Sequence, residues 1–312
     1  MSPQKVIVDC DPGHDDAIAL MLAHGSPAID LLAVTTVAGN QTLEKVTHNA
    51  RVVATVAGIT DVPIAAGADR PMVRAPRTAP SIHGETGLDG PVLPDPQVPL
   101  DPRPAVDLII ETVLAHDPGA VTLVPLGPLT NIAYALRRHP PLVDLVGGVV
   151  LMGGGYGKGN VTAAAEFNIY CDPEAAHIVF SAGWPVTQVG LDLTHQALAT
   201  PEVIDRISAV GTDPARFVRD VLLEYGRNYL AAQGFSAPPV HDPCAIARII
   251  DPGVVRTRPA HVEVELAGTH TTGMTVTDFL GRGGAPLDTR VATELDHAKF
   301  WDLVVDALQR IG

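Results

Sequence analysis

Strand-like and helix-like stretches alternate through the first two thirds of this 312-residue chain, and no other feature restricts its fold as much. Residues 5–8 form a short apolar run and residues 16–24 carry helical spacing. The β-branched run 31–37 follows, then a helical stretch 42–57 that Gly58 closes as the residue after the last turn. The same reading gives strands at 62–66, 120–125, 146–152 and 186–191, and helices at 105–116, 129–139, 174–182 and 215–232. Three β-like runs (260–266, 274–277, 290–295) and an amphipathic helix at 299–311 close the chain. Repeated β-α units predict an open, mostly parallel, Rossmann-like α/β sheet with helices on both faces. The late β-rich stretch predicts antiparallel strands at an edge. Hydrophobic residues make up 46% of the chain, enough for a large core, and no repeat or linker divides it. A single domain over 1–312 is expected.

In such sheets ligands bind beyond the carboxyl ends of the strands. The polar residues just after strands therefore matter most: Asp9 and Asp11, then Asn40, Leu126-Gly127, and the stretch from Met152 onward. Four aspartates, Asp9, Asp11, Asp15 and Asp16, crowd the first strand-to-helix junction around Pro12-Gly13. Carboxylates this close repel one another unless a cation or protons intervene. A hard, oxygen-loving ion, Ca²⁺ or Mg²⁺, explains all four. Helix capping explains one or two of them.

Other segments carry weaker signals. The run Gly153-Gly154-Gly155-Tyr156-Gly157-Lys158-Gly159-Asn160 fits neither phosphate-loop pattern, so its glycines are read as allowing sharp turns and close approach to a ligand. Glu166 and Asn168 follow it, and serve either a ligand or loop capping. His241-Asp242-Pro243 opens another helical stretch, where Asp242 alone would be an ordinary cap. His83 lies in a Pro/Gly-rich segment, 69–104, that is too long for a simple connection and reads as a functional loop. Tyr225 and Tyr229 sit one turn apart on the long helix.

The formal net charge of −14, with no basic cluster denser than Arg137-Arg138, argues against nucleic acid, anionic membranes and polyphosphate substrates. A neutral small molecule suits the chain better. The three cysteines are scattered and suggest neither a zinc knuckle nor a disulfide framework. The hydrophilic start leads straight into a strand, and no apolar run reaches ~18 residues, so a cytoplasmic protein without signal peptide or membrane span is expected.

Together these segments resemble a known family. Asp9-Cys10-Asp11-Pro12-Gly13-x-Asp15-Asp16-Ala17 is similar to the N-terminal fingerprint of the nucleoside hydrolases. So are Thr35-Thr36-Val37-Ala38-Gly39-Asn40, Val124-Pro125-Leu126-Gly127-Pro128-Leu129-Thr130-Asn131, Leu151-Met152-Gly153-Gly154-Gly155, Ala165-Glu166-Phe167-Asn168 and His241-Asp242-Pro243. The segments run in order over essentially the whole chain and most resemble the inosine–uridine-preferring branch.

The resemblance implies Ca²⁺-dependent hydrolysis of ribonucleosides to base and ribose, a dimer or tetramer, and a place in purine salvage or nucleoside catabolism. It assigns the ion to Asp11, Asp16, Asp242 and the carbonyl of Leu126, where any residue type serves because the main chain supplies the oxygen. Asp11 is also implied as the base that deprotonates the attacking water. Asp15, Asn40, Asn160, Glu166 and Asn168 are implied to contact ribose, with His83, Met152 and Phe167 completing the substrate-binding set. His241 matches the position that protonates the leaving base, with Tyr225 and Tyr229 as helpers; Asp9 braces the loop from behind. Two other readings compete: a Mg²⁺ phosphohydrolase, which lacks obvious phosphate-holding groups here, and a nucleoside-binding protein without turnover, which would have lost a residue of the set.

Overall fold

The computed structural model describes residues 2–312. Among them, nine strands form one sheet: β1 Gln4–Cys10, β2 Ile29–Thr36, β3 Ile64–Ala66, β4 Val121–Pro125, β5 Val146–Met152, β6 Val186–Val189, β7 Val255–Val264, β8 Thr275–Asp278 and β9 Thr289–Leu295. Their order is β3-β2-β1-β4-β5-β6-β9-β7-β8. Every pairing from β3 across to β9 is parallel. β7 then runs antiparallel to both β9 and β8, which builds the expected antiparallel edge.

β1 shows why this sequence needs cover on both faces. Val6, Val8 and Cys10 enter one hydrophobic core while Ile7 between them enters the other. The alternation follows the period-two pleat, and a strand buried on both sides must be apolar throughout. Each fully buried Val or Ile contributes roughly 1.5–3 kcal/mol. Helices His14–Gly25, Asp213–Gln233, Pro243–Ile250 and His297–Arg310 cover the first face. Helices Ala105–Leu114, Thr130–Arg138 and Pro173–Phe180 cover the second.

Most expected elements appear with boundaries shifted by one to a few residues. The first helix begins at His14, because the Asp16 carboxylate reaches back 2.9 Å to the Gly13 amide and satisfies an otherwise free first-turn donor. Helix Pro201–Val210 was not anticipated, although Thr200-Pro201 is a helix-start signal. The long segment 69–104 contains one short helix, Pro80–His83. No helix among the described residues is long and apolar enough to cross a membrane, and all three cysteines are free and buried.

The parallel register aligns the carboxyl ends. Asp9 stands beside Thr35 of β2 and Pro125 of β4, so the chain leaving β1, β2 and β4 emerges at one rim. β5 ends on Met152 at the same rim.

Candidate active site

A cleft of about 260 Å³ opens at this rim. Asp15, Asn40, His83, Leu126, Met152, Asn160, Glu166, Phe167, Asn168, Tyr225, Tyr229, His241 and Asp242 all line it. Asp16 is buried beside the lining carboxylates of Asp15 and Asp242, and Asp11 is buried as well.

The floor is acidic. Asp15, Asp16 and Asp242 each offer a carboxylate oxygen within 4.8 Å of the others. Asp16 accepts the amides of Gly13 (2.9 Å) and Asp11 (3.2 Å) and the Asn40 carboxamide (3.3 Å). Asp15 accepts the His241 amide at 2.9 Å, which ties the first helix to the segment carrying Asp242. Asp11 stands outside the trio because its Oδ2 turns to the Asn40 amide, 2.6 Å away. Its Oδ1 is buried with no partner. A Cβ on Gly39 or Gly127 would approach the Asp11 carboxylate to 2.1 or 2.5 Å, so only glycine fits on either side.

This crowding shifts the carboxyls upward. Burial, then Asp15, pushes Asp16 to about 7. Burial and Asp16 hold Asp11 well above the usual range, and burial with Asp15 and Asp16 does the same to Asp242. Burial also raises Asp15. A buried, oxygen-only donor set that resists ionising, with one orphaned oxygen, has the composition a hard divalent cation stabilises. Asp9 sits behind the floor, where its Oδ1 accepts from Thr35 (2.6 Å) and Asn131 (2.7 Å).

One wall is built of carboxamides and a carboxylate. Glu166 caps helix Phe167–Cys171, accepting the amides of Asn168 (2.8 Å) and Ile169 (3.1 Å), and also takes the Gly154 amide at 2.9 Å. The capping reading of Glu166 is therefore correct, and the same side chain still lines the cleft. Burial pushes its carboxyl to about 7. Asn168 Nδ2 donates to the Leu126 carbonyl at 2.6 Å, and Asn160 Oδ1 accepts the Phe167 amide at 2.9 Å.

The opposite wall is aromatic. His241 is held at both nitrogens, by Thr194 Oγ1 at 2.8 Å and Tyr229 OH at 2.5 Å. Burial pushes its imidazole down to about 3. Tyr225 packs edge-on to Tyr229, with its buried hydroxyl unpartnered. His83 arrives from the short helix Pro80–His83, which Asn228 of the long helix holds through the Ile82 carbonyl at 3.0 Å.

Several participants were not anticipated. Thr194 follows the carboxyl end of β6, where the strand-end rule applies equally. Arg77, Thr78 and Ile82 line the cleft from the long loop, and Gln233 from the end of the long helix. His14 packs against both His83 and Tyr225, which also touch each other. Apart from Thr194, none of these carries a local signal.

Residues 6–302 match the family model described as inosine-uridine preferring nucleoside hydrolase. The chain is 56% identical over 311 residues to the inosine-uridine preferring nucleoside hydrolase of Crithidia fasciculata, covering 99% of each. It is 48% identical to the pyrimidine-specific ribonucleoside hydrolase RihA of Shewanella woodyi, with 98% of each covered. Among solved structures, the purine-preferring ribonucleoside hydrolase from Gardnerella vaginalis superposes with a TM-score of 0.92 at 32% identity, over 99% of both chains. A plant nucleoside hydrolase superposes at 0.91 with 31% identity, over 98% of this chain and 99% of that one. The chain thus belongs to the inosine-uridine preferring nucleoside hydrolase family, enzymes that hydrolyse the N-glycosidic bonds of nucleosides.

Proposed function

We propose that this protein hydrolyses ribonucleosides, inosine and uridine among them, to free base and ribose, with a Ca²⁺ ion in the acidic floor. The observation that carries the reading is the buried cluster of Asp15, Asp16 and Asp242, with the unpartnered Asp11 Oδ1 close by, between a polar wall and an aromatic wall. The donor set alone suits Ca²⁺ or Mg²⁺, and the family resemblance supports the choice of Ca²⁺. Asp11, Asp16, Asp242 and the Leu126 carbonyl would hold the ion. The Asn168 bond to that carbonyl leaves it a second lone pair. When bound, the cation supplies positive charge that lowers the pKa of a neighbouring water and orients the ribose hydroxyls.

The chain's own groups carry the remaining steps. Asp11 would take the proton of the attacking water. Cleavage passes through an oxocarbenium-like sugar, whose positive charge Asp15, Glu166 and the carboxamide oxygens of Asn160 and Asn168 stabilise. Asp15 and Asn40 pair with the ribose hydroxyls, and Met152 and Phe167 pack around the sugar. At the aromatic wall the departing base receives a proton. Burial lowers the His241 imidazole to about 3, so the ring rests neutral between Thr194 and Tyr229 and delivers this proton only after taking one up from solvent, returning to the neutral form as the base leaves. A single domain over 1–312, a homodimer or homotetramer, and a cytoplasmic place in purine salvage or nucleoside catabolism belong to the same proposal.

A panel of inosine, adenosine, guanosine, uridine and cytidine, read out as free ribose, tests this reading. Ribose release from inosine and uridine supports it. No ribose from any of the five, in protein supplied with Ca²⁺, overturns it.

A further inference from the structure

We propose that His83 is a two-way hydrogen-bonding contact for the nucleobase, and that His14 behind it keeps both of its tautomers available. The proposal rests on the ribonucleoside reading of the cleft and adds how the aromatic wall meets different bases.

His14 is fully buried at the start of the first helix. Its Nε2 lies 2.9 Å from the Asp89 carbonyl, which only accepts, so that nitrogen carries the hydrogen. In the neutral ring, Nδ1 is then a lone pair. His83 Nδ1 sits 3.3 Å from this lone pair and 3.2 Å from the backbone N–H of His14. One nitrogen of His83 therefore faces both an acceptor and a donor supplied by the same residue.

Either tautomer of His83 is satisfied from behind. With hydrogen on Nδ1, His83 donates to His14 Nδ1 and presents a bare Nε2 to the cleft. With hydrogen on Nε2, Nδ1 accepts the His14 amide and the cleft receives an N–H. The ring itself is held still, 5.5 Å from both His14 and Tyr225, while His14 stacks on Tyr225 at 5.0 Å and 19°. Gly13 makes the approach possible, since a Cβ there would lie 2.3 Å from His83 Nδ1.

Uridine and cytidine present opposite edges: a carbonyl acceptor against an amino donor at C4, where the His83 contact is proposed, with donor and acceptor reversed at the neighbouring N3. A fixed donor pairs with one and opposes the other, whereas an adaptable imidazole meets both. His14 is thus a positioning residue for base tolerance, acting through His83.

The test combines ¹⁵N NMR of histidine-labelled protein with kinetics, using His83→Gln to assign the signals. In the wild type without ligand, the two His83 nitrogens should give shifts averaged between tautomers. Cytosine and uracil as probes should move these shifts in opposite directions. His14→Leu keeps the amide but removes the lone pair, so His83 should become fixed with hydrogen on Nε2. The kcat/KM for cytidine should then fall about tenfold relative to uridine, and His14→Asn, which restores an acceptor, should recover part of the ratio. A wild-type His83 locked in one tautomer and indifferent to the probe overturns the proposal without any variant. So does a His14→Leu protein whose cytidine-to-uridine ratio stays within about twofold of wild type. If no nucleoside is cleaved at all, the functional reading fails, and the ligand-free spectrum still decides the tautomer claim.

Discussion

Withholding divalent cations should destabilise the protein at pH 8 far more than at pH 5. The Asp16 carboxyl is raised from 3.8 to about 7 by burial and by Asp15. For an acid with a raised folded-state pKa, the cation-free native state binds more protons than the unfolded chain between these two values. Stability is therefore lost as pH rises from about 4 to 7, and a rise of that size in one carboxyl corresponds to about 4 kcal/mol at the alkaline end. A cation that replaces the protons removes this penalty, and one present at about 1,000 times its Kd stabilises by about 4 kcal/mol. For a chain of this size that is a rise in Tm of about 6 °C. At pH 5 the carboxyls keep their protons, the cation must displace them, and the rise should be less than half as large. Differential scanning fluorimetry in EDTA and in millimolar Ca²⁺ at both pH values reads the effect, and Asp242→Asn should abolish it at pH 8. Equal shifts at the two pH values, or none at pH 8, would mean that the cation does not replace protons on these carboxyls.

Three further outcomes are expected. His241→Ala should lower inosine turnover by ~10²–10⁴-fold while sparing p-nitrophenyl riboside, whose leaving group needs no proton; equal losses on both would move the acid elsewhere. The 2′-deoxy analogue of inosine should lose ~10³-fold in kcat/KM, because the groups proposed for the ribose hydroxyls stay buried and unpaired, and comparable values would sink the sugar assignment. A nucleoside-like inhibitor should increase hydrogen-exchange protection of the segment around His83 and of the long helix near Tyr229, which Asn228 joins through Ile82; unchanged protection in both counts against a lid.

Parts of the fold and site that depend on local pattern were legible in the sequence. β5 matches its apolar run residue for residue, and the crowding of Asp9, Asp11, Asp15 and Asp16 is visible because all four sit around one turn. The strand-end rule placed Asn40 and Leu126 beside them, although they are distant in sequence. Long-range detail was not legible. That Asp15 joins Asp16 and Asp242 while Asp11 turns to Asn40 depends on hydrogen bonds such as Asp15 to the His241 amide, which joins residues 226 positions apart. His14 gave no sign of a role because its partners, His83, Asp89 and Tyr225, come from two remote segments. His241 reads in the sequence as either a solvated loop histidine or the leaving-group acid; its burial against Thr194 and Tyr229 rules out the first.

Turnover is proposed to depend on one divalent ion held by the buried aspartates. The most direct measurement prepares the protein free of metal, verified by elemental analysis, and titrates Ca²⁺ while recording bound ion and ribose release from inosine on the same samples. Without metal no turnover is expected, with activity rising in proportion to occupancy and saturating at one ion per chain. Full activity in protein shown to be metal-free would contradict it.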